Sequence, residues 1–196
     1  MESFHELATR YFGPLAHASG LSLTRDRDFW LDYTSSRVRL TVAYDAWRTR
    51  EVVTAIASLH DRGSPYYDFG YGLYLILLFK GKDPESVRGG AVRPEELDGE
   101  LRNRAALFTE LCVKLLGGDA EEFKALQAFG RKAAHEYELR SQANSAMVRA
   151  GWAWAKGDLQ KVIEELAPHE NCIDPSWKQK LAEARATLDR HGRPPR

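Results

Sequence analysis

The sequence predicts an α+β fold: an N-terminal helix, a three-stranded antiparallel β-meander, and a helical C-terminal half packed on it. Three observations carry this. Val38, Leu40, Val42 and Tyr44 share one parity while Arg37, Arg39, Thr41 and Ala43 share the other, the two-residue period of a half-buried strand. Phe29, Leu31 and Tyr33 repeat that pattern just before it, and Glu51 to Leu59 adds a third run rich in β-branched residues. From Leu97 onward apolar residues recur at helical spacing instead. The links Thr34-Ser35-Ser36 and Asp45 to Arg50 are short enough for antiparallel neighbours. A small sheet with one apolar face needs a cover, and the helices supply it.

In chain order, Ser3 and Glu6 have the spacing of a capping box, and Phe4, Leu7, Ala8, Tyr11 and Phe12 follow at helical intervals. Gly13-Pro14 is expected to end that helix. The charged cluster Arg25-Asp26-Arg27-Asp28 reads as a loop leading into the meander. Arg62-Gly63-Ser64-Pro65 breaks the chain after it. The uniformly apolar Leu73 to Phe79 fits a buried helix or a central strand, and its leucine content favours the helix. Lys80 to Arg93 is a surface loop, and Pro94 with Glu95, Glu96 and Asp98 starts a helix lined by Leu97, Leu101, Phe108, Leu111 and Leu115.

Gly117-Gly118 stops that helix, and Asp119 caps another carrying Phe123, Leu126 and Phe129. Gly130 leaves open whether this helix continues. The tail reads as a hairpin, with Ala143, Met147, Ala150 and Trp154 facing Leu159, Val162, Ile163 and Leu166 across Gly157-Asp158. A terminal helix follows, with Trp177, Leu181, Ala184 and Leu188 on one stripe. The expectation is one α+β domain over 1–196: helix and meander in 1–62, helices in 63–139, hairpin and terminal helix in 140–190.

Composition narrows the function classes. Formal net charge is zero, with acids and bases roughly balanced along the chain, so no basic stripe argues for nucleic acid. Hydrophobic residues make up 43% and aromatics 11%, which suits a packed globular protein. The start MESFHELATR does not read as a signal peptide, and no apolar run reaches the roughly 20 residues that span a bilayer. A cytoplasmic protein is expected, without membrane contact. Cys112 and Cys172 are far apart with no metal-ligand spacing, and Cys112 sits in an apolar helical pattern as a small buried side chain.

No catalytic motif, cofactor motif or metal site emerges. Asp68-Phe69-Gly70 spells a kinase tripeptide, but the glycine-rich loop, strand lysine and catalytic loop that give it meaning are missing. Gly70-Tyr71-Gly72 lacks the third glycine of a dinucleotide fingerprint. The histidines (His5, His17, His60, His135, His169 and His191) form no HxxxH or HExxH pair.

What remains is a surface. Arg37 and Arg39 lie on the parity opposite Val38 and Leu40; Trp47, Arg48 and Arg50 crowd the next connection; Tyr66 and Tyr67 sit in the following loop. Arg, Trp and Tyr are the types enriched in binding hot spots, so these residues form the candidate interaction surface. The bland alternative is that helices cover both sheet faces and the arginines pair with Asp32, Glu51 or other acids.

Tyr33 to Ser36, then Val38 to Asp45, then Glu51-Val52-Val53, with the later Leu115-Leu116-Gly117-Gly118-Asp119 and Phe123, resemble a group of uncharacterised bacterial α+β proteins. These in turn are similar to immunity proteins encoded beside secreted toxins. The resemblance implies a non-enzymatic module that binds a protein partner and blocks it by covering it. Separately, Ala150, Trp154 and Gly157-Asp158 resemble a tetratricopeptide-type helical hairpin, in a single unit with no 34-residue period. The alternatives are a small enzyme whose site forms only in the fold, or a structural or adaptor protein. The oligomeric state stays open at this point.

Overall fold

A computed structural model describes residues 2–60, 68, 70–87 and 90–191. It is α+β, and the chain divides into two compact units, Met1–Gly130 and Arg131–Arg196. The expected break at Arg62 to Pro65 lies outside the described residues.

The first unit opens with α1 (Phe4–Ala18). The Glu6 amide donates to the Ser3 hydroxyl at 3.2 Å, and the Ser3 amide donates to the Glu6 carboxylate at 2.8 Å, closing the capping box. Phe4, Leu7, Ala8, Phe12 and Ala16 are buried. The helix does not end at Gly13-Pro14 but continues through Pro14 for another turn. Its true stop is Gly20, at φ 70°, where the Gly20 and Leu21 amides donate to the carbonyls of His17 and Ala16 while Leu21 buries itself.

The sheet that follows has five strands, not three, in simple meander order: β1 (Ser22–Arg27), β2 (Trp30–Thr34), β3 (Val38–Tyr44), β4 (Val52–Ser58) and β5 (Tyr71–Gly72). All neighbours are antiparallel. The two additional strands lie at the edges, one on each side. β1 contains Arg25, Asp26 and Arg27 of the charged cluster expected to be a loop, and only Asp28 lies in the turn that follows. Every residue in it is exposed and a bulge falls between Leu23 and Arg25, so no alternation marks it. β5 is too short to carry a pattern.

On the inner face Leu31 lies opposite Val42, and Leu40 between Tyr33 and Ile56, all of them buried. Helices α2 (Leu73–Phe79), α3 (Leu97–Leu111) and α4 (Val113–Leu116) complete this core together with α1. Leu73–Phe79 is thus a helix, as its leucines favour. The outer face is not simply wet. Asp32, Thr41, Ala43, Ala55 and Ala57 on it are buried too, and the Thr41 hydroxyl donates to Asp32 at 2.6 Å. Gly70 has a role unrelated to the tripeptide it belongs to: at φ 76°, a Cβ there would stand 3.0 Å from the Ile56 backbone.

Helix α5 (Ala120–Ala155) begins in the first unit and ends in the second, passing Gly130 without a break. The second unit is completed by α6 (Leu159–Leu166) and α7 (Pro175–His191). Its own core gathers Ala143, Ala150, Val162, Leu166, Leu181 and Ala184, with Trp154 and Trp177 packed against them. Asp158 and Asp174 accept from the amides of Lys161 and Trp177 and so start α6 and α7. None of the helices is long and apolar enough to cross a membrane, among the described residues.

Candidate interaction surface

The strand order brings two connections to the same end of the sheet: the β1–β2 turn at Asp28-Phe29 and the β3–β4 connection at Asp45 to Glu51. They are tied, since the Tyr44 amide donates to the Phe29 carbonyl at 3.0 Å. Asp45 folds the longer one. The amides of Trp47, Arg48 and Thr49 donate to its carboxylate at 3.2, 3.0 and 3.4 Å, the Thr49 hydroxyl adds a further bond at 3.2 Å, and the Asp45 amide donates to the Glu51 carbonyl. These bonds, that of the Arg48 amide foremost, hold the Asp45 carboxyl below its ordinary value. Arg50 closes the turn at φ 55°, a left-handed conformation unusual for a residue with a side chain.

This turn lifts Trp47 into solvent, where it is 86% exposed. Its ring meets Phe29 edge-on at 6.4 Å between centroids. Phe29 in turn rests 6.5 Å from Phe4 and 6.3 Å from Tyr44, and those two stack at 5.8 Å inside the core. A continuous aromatic column therefore runs from the core to the outermost ring. Sequence parity assigned Phe29 inward with Leu31 and Tyr33. It lies in the turn just before β2, where alternation does not apply, and is 38% exposed.

On the outer face Trp30 is also 38% exposed and Val53 45%. Arg25 lies over the Trp30 ring at 5.4 Å and 3.6 Å from the buried Asp32 carboxylate, which fixes the indole in place. Concavities flank Phe29 on both sides. One, of about 550 Å³, is lined by Arg27, Trp30, Ala43 and Val53; the other, of about 590 Å³, by Phe4, His5, Arg50 and Leu97. The His5 imidazole sits 2.6 Å from Asp26 beside the second.

Arg27, Arg48 and Arg50 surround these rings, and none of them makes an ion pair with a described residue. Guanidinium groups in that state keep their full capacity for bidentate contact with carboxylates.

The structure thus unites Trp47, Arg48 and Arg50 and adds Phe29, Trp30, Val53 and Arg27. Arg37 and Arg39 belong to the opposite end of β3. Arg37 is exposed in the β2–β3 turn, its side chain against Gly118, while Arg39 is half-buried on the outer face and donates to the Asp68 carbonyl. Tyr66 and Tyr67 lie outside the described residues. Among the described residues no three His, Cys, Asp or Glu side chains converge as metal ligands. Cys112 and Cys172 are free thiols; Cys112 is buried, and burial pushes its thiol up to about 12, while Cys172 is exposed.

No family model matches this chain, and no curated protein or solved structure matches it either.

Proposed function

We propose that the chain is a non-enzymatic protein-binding module of the immunity type, and that it covers its partner, a bacterial toxin, with the aromatic–arginine end of the sheet. The observation that supports this most is Trp47, a large apolar ring held in solvent by a turn that spends Asp45 and a left-handed Arg50 on keeping it there. An indole exposed on an aromatic-backed platform stands unfavourably in water until a partner covers it. The arginines around it, which make no ion pair with a described residue, favour an acidic partner surface that also offers an apolar side chain for the concavity beside Phe29.

The test is calorimetry with the product of the neighbouring gene, the natural position for a toxin matched to an immunity protein. A one-to-one complex is expected. Trp47→Ala and Arg48→Ala should remain folded, since both side chains are exposed and neither backbone amide is lost. Each should weaken binding tenfold or more, about 1.4 kcal/mol. Unchanged affinity in both folded variants removes this surface, and absence of any complex removes the toxin partner.

A further inference from the structure

Helix α5 has a second uncovered face. Within the second unit its inner positions Ala143, Ala150 and Ala153 are buried in the core shared with α6 and α7, and Ala146 is buried as well. On the other side Tyr137 is 76% exposed, Val148 57% and Trp152 69%. Ser141, Asn144 and Ser145 lie between them, and Ala134 and Ala155 continue the stripe at its two ends; all five are exposed. These positions fall at helical spacings of three and four and carry no charge, whereas the flanks carry Lys132, Glu136, Glu138, Arg140 and Arg149. An exposed helix face that presents a tryptophan, a tyrosine and a valine in an uncharged row is built like a packing seam.

We infer that this face is the interface of a homodimer, with α5 of a second copy lying antiparallel across it. The row is symmetric. About a twofold axis between Asn144 and Ser145, Ser141 meets Val148 of the second copy, Tyr137 meets Trp152, and Ala134 meets Ala155. Small residues at the ends and centre let the helices approach, and the aromatic pairs fill the space between. An isologous contact requires a patch complementary to itself, and this row is. Charge is compatible on one flank: in this register Glu138 stands level with Gly151 of the second copy and two residues, about 3 Å of rise, from its Arg149, a gap both long side chains can span, twice by symmetry. Arg149 is bonded to Glu165 through Nε, which leaves its outer guanidinium nitrogens for that contact. Arg131 and Lys156 share this flank toward the ends, where solvent screens their repulsion. Four aromatic rings supply up to about 150–250 Å² each, a large share of the roughly 1,200–2,000 Å² a specific interface buries. A different protein as occupant has no need of the twofold spacing.

Sedimentation equilibrium of the full chain tests this, with no partner added. The wild type should be a dimer, and Tyr137→Glu and Trp152→Glu should each weaken association at least tenfold while keeping the helical circular dichroism. Val148→Arg, on the same row, decides the matter if either of those fails to fold. Trp47→Ala, on the other unit, should stay dimeric. A wild-type chain that is monomeric at roughly 100 μM overturns the inference, because an interface with this much aromatic area should hold well below that concentration. So does a dimer that survives the folded variants unchanged.

Discussion

Leu40→Ala should destabilise the protein by about 2–5 kcal/mol, the range for deleting a fully buried leucine whose surroundings cannot collapse into the gap. Leu40 has no exposed surface; it lies in register between Tyr33 and Ile56 at the middle of the inner face, under the helices of the first unit. Strands on both sides fix its neighbours, so the cavity stays open. Val53→Ala is the control, because Val53 belongs to the outer face and is 45% exposed; a change within about 0.5 kcal/mol is expected there. Thr41→Ala falls between the two. It removes the donor to Asp32, and losing a hydrogen bond to a charged group typically costs about 1.5–3 kcal/mol. Urea titrations of the three variants rank them directly, and equal effects at Leu40 and Val53 would refute the assignment of faces.

Glu100→Ala should be comparably severe, about 3 kcal/mol or more, for a different reason. Arg104 projects from α3 toward β4 with only 8% of its side chain exposed, its Nε donating to Glu100 at 2.6 Å and a terminal nitrogen donating to Thr54 at 3.3 Å. Burial pulls the guanidinium below its ordinary value, against the opposing pull of Glu100. Truncating Glu100 removes from a buried cation the carboxylate hydrogen-bonded to it, leaving Glu51 as the other carboxylate that acts on it. Replacing both partners with apolar residues of similar size (Glu100→Leu with Arg104→Met) should recover most of the loss. Chemical denaturation of the single and double variants measures the difference. A double variant as unstable as Glu100→Ala alone would show that the cost lies in packing rather than in charge.

Much of the fold is written in local pattern. β3 and β4 announce themselves because one of their faces is buried and the other carries Arg39 or the exposed Val53, and the helical stripes of the second unit bury as their spacing implies. β1 is silent for the opposite reason: an edge strand exposed along its whole length has no contrast to alternate. Its charges, which read as a loop, are what an unpaired edge carries to discourage further strands. Pro14 misleads because a proline's effect depends on whether tertiary packing holds the helix together beyond it, and Phe12 and Ala16 on either side are both buried.

The candidate surface was legible only in part. Trp47, Arg48 and Arg50 are adjacent in sequence, and a tryptophan in a connection invites attention. Phe29, Trp30 and Arg27 join them through the Tyr44–Phe29 hydrogen bond, a contact between connections that no local pattern encodes. Arg37 lies in the β2–β3 turn and Arg39 at the start of β3, so the length of the strand carries both away from Trp47. Arg104 falls at helical spacing on the inner stripe of Leu97, Leu101 and Phe108, a place where a charge reads as an interruption of the pattern until Glu100 and Thr54 are seen to satisfy it.

Binding through this surface requires Trp47 to stand in solvent on a preformed platform. Of the five tryptophans, Trp30, Trp152, Trp154 and Trp177 can be replaced by phenylalanine, leaving Trp47 as the sole indole. Its emission in the free protein should be that of a water-exposed ring, fully open to a collisional quencher, and should shift to the blue with loss of quenching when the partner binds. A blue, shielded emission in the free, folded protein would place the ring against its own chain and contradict the account.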